Sequence, residues 1–190
     1  MKPLCIDLFC GYGGWARGFL DAGYRVIGFD IEPKCAKRYP GEFVLADVHD
    51  LRGEDIISTY GKPRIVVLSP PCTEFSSLTG LRQAVHGITA DPWGKGMDLV
   101  YEGLRLVYEM EPTMWCMENV RGAERYIGPP TGRSGAQSLW GYFSGFIATP
   151  AKKNVRKWKS QPGPRDPMDP RKRALIPYPL ARALAEACLP

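Results

Sequence analysis

The sequence has 190 residues, 44% of them hydrophobic and 24% charged, which suits one globular domain able to bury a core without disulfide staples. It has no run of 18 apolar residues and no leader-like opening, and its six cysteines (5, 10, 35, 72, 116 and 188) follow no CxxC or other metal-ligand spacing. A membrane protein and a metal centre are therefore not expected, and the reading is a cytoplasmic chain with reduced, mostly buried thiols. The net charge of +5 is unevenly placed: residues 151–173 hold nine Lys/Arg against Asp166 and Asp169. That segment, with Trp158 and four prolines, is either a solvated connection or an arm for nucleic-acid phosphates.

In chain order, the apolar run over 3–9 predicts a buried first strand that ends in the glycine cluster Gly11, Gly13 and Gly14. A helix follows, with Ala16, Phe19 and Leu20 on one face, and stops at Gly23. Residues 25–29 predict strand two, ending at Asp30, and Pro33 is placed to open another helix. A short strand at 43–46 ends at Asp47, and Ile65–Leu68 reads as a strand covered on both faces. Residues 79–96 carry four glycines and no period, the mark of a lid or binding loop. Val100, Leu104, Val107 and Tyr108 form one helical face, 113–117 a further strand, and Leu180, Ala183, Leu184, Ala187 and Cys188 a last amphipathic helix. Residues 128–150 give little signal. The alternation predicts an α/β fold with a mainly parallel sheet and helices on both faces, as one domain: a core over 1–122, an irregular basic region over 123–175 and a closing helix over 176–190.

Ligands of such sheets sit at the carboxyl ends of the strands. Three motifs fall there. Gly11-x-Gly13-x-x-Ala16, with Asp30 19 residues after Gly11, suits a nucleotide-containing cofactor: NAD, FAD or S-adenosylmethionine. Asp47 is either a partner for an adenine amino group or a helix cap. Next, Ser69-Pro70-Pro71-Cys72 delivers a cysteine on a rigid, extended approach, and a helix starting nearby is expected to lower its pKa. Methylases of exocyclic amino groups place Asp or Asn before Pro-Pro and an aromatic after it, which Ser69 and Cys72 do not match. Last, Glu118-Asn119-Val120-Arg121-Gly122 puts a carboxyl beside an apolar strand, where desolvation raises its pKa.

The order Asp7-Leu8-Phe9-x-Gly11-x-Gly13-Gly14, then Pro71-Cys72-x-x-Phe75-Ser76, then Glu118-Asn119-Val120 resembles the DNA cytosine-5 methyltransferase family, as do residues 28–32 and 46–48. The likeness is good over 4–122 and continues weakly over 176–184. It implies a Rossmann-like methyltransferase fold that uses S-adenosylmethionine and acts on DNA. By that resemblance Phe9, Gly11, Gly13, Gly14 and Pro70 border the cofactor, Asp30 holds its ribose, Ile31 lies on adenine and Asp47 meets the amino edge. Cys72 would be the nucleophile and Glu118 its acid partner. Ser76, Asn119 and Arg121, with Arg82, Lys95 and Trp93 of the 79–96 loop and the basic segment, would contact the substrate. The chain departs from the family in having only residues 123–175 for target recognition and no recognisable Gln-x-Arg-x-Arg motif. Arg133, Arg171 and Arg173 are candidates for its pocket-facing arginine. Ala174-Leu175 stands where Gly-Asn usually opens the last helix. These departures suggest a compact phage or mobile-element variant, with a protein partner or self-association supplying recognition surface. They also motivate a non-catalytic DNA-binding relative as a rival. A tRNA substrate is the rival within the enzyme class, and Ser76, where that branch carries Thr, favours DNA. A nicotinamide oxidoreductase would leave Pro71-Cys72 and Glu118 without a role.

Overall fold

The structure is a computed structural model and describes residues 2–76, 89–143 and 175–190. Its centre is β1 (Leu4–Leu8), buried at every position because strands flank it on both edges and helices cover both faces. Seven strands are ordered β3-β2-β1-β4-β5-β7-β6. They are β2 (Arg25–Asp30), β3 (Glu42–Leu45), β4 (Ile65–Leu68), β5 (Met114–Val120), β6 (Gly132–Ser134) and β7 (Gln137–Tyr142). The first five run parallel, while β7 inserts antiparallel between β5 and β6.

Alternation along the strands sorts the core into two faces. Cys5, Val26, Ile65, Val67 and Cys116 pack beneath α1 (Gly14–Asp21) and the closing helix α5 (Tyr178–Ala187). Ile6, Leu8, Ile27, Phe29, Val66 and Leu68 point the other way, beneath α2 (Gly53–Tyr60) and α3 (Met97–Met110). A four-residue helix, α4 (Glu124–Ile127), follows β5. The helices α1 and α5 meet at backbone range: a Cβ on Gly18 would lie 2.5 Å from the backbone of Ala181 and Arg182. Gly18→Ala should therefore push α5 away and destabilise the fold by about 1–3 kcal/mol, seen as a lower urea midpoint with an unchanged slope.

The structure corrects several local expectations. β5 runs on to Val120, so Glu118 and Asn119 lie inside a strand, opposite Leu139 and Ser138 of β7, and not beyond its end. Pro33 opens only a single 3-10 turn. Tyr108 is 83% exposed, and Leu106 and Met110 take the buried positions of α3. The helix α2 and the β6–β7 hairpin had no clear signal, since glycines and polar residues interrupt the hairpin.

Candidate active site

The sheet order reverses between β1 and β4, and a cavity of about 660 Å³ opens there at the carboxyl ends of the strands. Phe9, in a left-handed conformation (φ 57°), ends β1 and turns the chain into the glycine cluster. Gly11 (φ 52°) donates its N–H to Asp30 Oδ2 at 2.8 Å, and the other oxygen of Asp30 accepts from Glu32 N at 2.9 Å. Asp30 thus braces the turn as well as bordering the cavity. Gly14 is needed because a Cβ there would sit 2.6 Å from Ile176 N, where the chain enters α5. Ile31 stands 64% exposed on the rim, an apolar plate without a protein partner to cover it among the described residues.

At the third strand end, Asp47 caps a short turn and its Oδ1 accepts from both His49 N (3.0 Å) and His49 Nδ1 (2.7 Å). His49 Nε2 reaches Asp98 of α3 at 2.9 Å. The bonds to Asp47 and then Asp98 lift the imidazole to about 9, so it is cationic at neutral pH and donates to both carboxylates. A raised folded-state value stabilises fully below the ordinary histidine value near 6.5 and is lost as pH climbs through 9. The melting temperature of the wild type should therefore exceed that of His49→Ala at pH 6, and the gap should shrink steadily between pH 6.5 and 9.5.

On the opposite wall, Pro70 and Pro71 lead into a 3-10 turn that starts at Cys72. Asn119 Nδ2 donates to Pro70 O at 3.0 Å while its Oδ1 accepts from Val120 N at 2.8 Å. The buried Asn119 thereby ties the turn to β5. Close approach at Gly122, where a Cβ would clash with Phe75 O, clamps the far side of the turn. Glu74 accepts from Asp91 N at 2.8 Å and joins the turn to the wide helical turn Pro92–Gly96. Beside it Trp93, 67% exposed, meets the edge of Tyr126 at 5.0 Å.

Cys72 borders the cavity, half-buried. Its thiol is pushed up, first by burial and then by the neighbouring Glu118 charge. This overturns the expectation of a depressed value: one short turn offers too weak a dipole against burial and a like-signed neighbour. Burial raises Glu118 to about 7, partly opposed by a hydrogen bond from Ser69. The serine in turn accepts from Trp15 Nε1 at 3.0 Å.

Among the expected cofactor residues, Phe9, Gly11, Gly14, Asp30, Ile31 and Asp47 line the cavity. Gly13 and Pro70 do not. Gly13 (φ 79°) serves the turn, where a Cβ would meet Pro40 at 2.3 Å, and Pro70 is buried with Ser69 and Pro71 lining the wall around it. Of the expected substrate residues, Ser76, Asn119 and Arg121 do not border the cavity. Asn119 faces inward, and Arg121 donates to Gly135 O at 3.0 Å. Arg133 is held in an exposed two-pronged pair with Glu124, at 2.9 and 2.6 Å, which removes it as a pocket-facing arginine. Arg82, Arg171, Arg173, the basic segment 151–173 and residues 79–88 of the loop lie outside the described residues. Trp15, His49, Leu99 and Ile176 line the cavity without having been singled out, and only His49, two residues after a capping Asp, carried a local signal. Among the described residues no cluster of His, Cys, Asp and Glu could hold a metal, and no helix is long and apolar enough to cross a membrane.

A family model described as C-5 cytosine-specific DNA methylase matches residues 4–125. The type II methylase M.HgiDII of Herpetosiphon aurantiacus is 32% identical over 127 residues, 63% of this chain and 33% of its own length. The type II methyltransferase M.HgiGI of the same organism is 30% identical over 125 residues, 62% of this chain and 90% of that protein. A crystal structure of a DNA modification methyltransferase encoded within an E. coli prophage aligns with a TM-score of 0.50 and 27% identity, covering 67% of this chain and 35% of the other. The chain spans about a third of the length of M.HgiDII and of M.FnuDI from Fusobacterium nucleatum. With the methylase match covering β1 to β5, the glycine turn, Cys72 and Glu118, the chain belongs to the C-5 cytosine-specific DNA methylase family.

Proposed function

We propose that this chain methylates C5 of cytosine in DNA with S-adenosylmethionine as methyl donor. The observation that carries the reading is the pairing of Cys72, on a braced turn at the cavity wall, with the half-buried Glu118 close enough to perturb it. The cleft also fits the donor: its volume lies in the range of cofactor pockets, Gly11 leaves the backbone open beside it, and it combines acidic ends with an apolar plate. The 9–14 turn would hold the amino-acid part, Asp30 the ribose, Ile31 the adenine face and the remaining oxygen of Asp47 its amino edge. When bound, S-adenosylmethionine supplies an electrophilic methyl group.

The chain's own residues must make cytosine C5 nucleophilic. Cys72 loses its proton and its sulfur bonds to C6, while the C5–C6 π pair is freed toward C5. Glu118, poised near neutrality, gives a proton to N3 so that the ring does not carry the negative charge. The C5 pair would take the donor's methyl as the methyl–sulfonium bond breaks; water then takes the C5 proton, the C5–H electron pair re-forms the C5–C6 double bond and expels the Cys72 sulfur as thiolate, and N3 returns its proton to Glu118. In duplex DNA the base must first leave the stack, at a cost of a few kcal/mol.

The test is incubation of the full chain with S-adenosylmethionine tritiated at the methyl group and duplex DNA of mixed sequence, followed by digestion to nucleosides. Label in 5-methyldeoxycytidine is expected. Label on tRNA alone would move the substrate class, and label on N4 or on adenine would overturn the chemistry. No label despite cofactor binding measured by calorimetry would leave a binding protein.

A further inference from the structure

We propose that Ser69, aligned by Trp15, is a positioning residue that fixes which oxygen of Glu118 carries the acid proton. The inference rests on the reading of Glu118 as the acid partner. Glu118 does not itself border the cavity, whereas Ser69 and Trp15 do. The parallel register pairs Leu68 of β4 with Met117 of β5, so the next residues along, Ser69 and Glu118, lie side by side. Ser69 N also donates to Leu8 O at 3.3 Å, which anchors the serine backbone to β1.

The logic lies in counting donors. An indole N–H can only donate, and Trp15 directs it at Ser69 Oγ at 3.0 Å. With an acceptor site on its oxygen filled from that side, Ser69 turns its single O–H toward the carboxyl of Glu118. One carboxyl oxygen is then committed as an acceptor, and the proton of the neutral acid resides on the other. Trp15 is fully buried in the first turn of α1, directly after the glycine cluster, so the relay starts beside the cofactor turn, and its first link joins residues 54 apart in sequence. A geometry committed before substrate arrives needs no reorganisation when N3 is protonated.

The test is a titration of the Glu118 side-chain carbon by NMR in carbon-13 glutamate-labelled protein, assigned from the signal lost in Glu118→Gln. The wild type should titrate near 7. Ser69→Ala should move the midpoint up by at least about half a pH unit, because a hydrogen bond that favours the charged form is gone. Trp15→Phe should move it the same way by less, and Ser69→Thr, which keeps the hydroxyl, should restore it. On DNA, Ser69→Ala should lower kcat roughly tenfold, the rate equivalent of one hydrogen bond, with KM unchanged and the pH profile displaced in parallel. An unmoved midpoint in Ser69→Ala overturns the proposal, and if that variant does not fold, an unmoved midpoint in Trp15→Phe does so. Were the wild type to transfer no methyl group, the proposed function would fail while the titration still decided the relay.

Discussion

Cys72→Ala should abolish covalent capture of an oligonucleotide carrying 5-fluorocytosine and reduce methyl transfer by roughly four or more orders of magnitude. Fluorine at C5 leaves no proton to lose, so the C6–sulfur bond of a working enzyme persists and intact mass rises by one methylated oligonucleotide. Alanine removes the sulfur while keeping the turn, whose bonds from Asn119 to Pro70 O and from the backbone N–H groups of Phe75 and Ser76 to Cys72 O do not use the thiol. The raised thiol adds a pH signature. Because burial and Glu118 keep Cys72 protonated at neutrality, the adduct should form faster as pH rises from 6 to 8, until loss of the Glu118 proton opposes it. Adduct formation undiminished in Cys72→Ala would assign the nucleophile elsewhere.

Glu118→Gln should do two opposite things: cut methyl transfer by roughly 10²–10⁴-fold and stabilise the fold above neutrality. Burial lifts the folded-state value from 4.5 to about 7. The unfolded chain therefore gives up this proton first as pH rises, and the native state loses stability progressively between those two values. Above pH 7 the full penalty, at most about 3 kcal/mol, is in place, and glutamine escapes it because it does not ionise. Urea midpoints of wild type and variant should nearly coincide at pH 4.5 and separate by pH 8, with the variant higher. A variant that is less stable at pH 8 would place the carboxylate in a compensated, charge-favouring environment and contradict the raised value.

Much of this site was legible in the chain. The β-branched run Ile65–Leu68, the turn glycines and the two prolines before Cys72 are short-range features, in which sterics and burial pattern act over a few residues. Boundaries were less legible. Glu118 and Asn119 sit at the end of an apolar run, and only pairing with β7 keeps them in strand. Since Gln137–Tyr142 carries a weak pattern of its own, that pairing could not be anticipated.

What the sequence by itself determined is therefore the order of β1 to β5 with α1, α3 and α5, the glycine turn, and Cys72 and Glu118 as the candidate pair. Each is written in local pattern or in a motif of fixed spacing. Tertiary structure decided the protonation states and the contacts. It raised the Cys72 thiol that a local helix argument would lower, turned Asn119 inward, engaged Arg133 with Glu124 and set His49 between Asp47 and Asp98. It also joined Trp15 of α1, Ser69 after β4 and Glu118 of β5. Desolvation and hydrogen bonding act through space, on neighbours that only the folded sheet brings together.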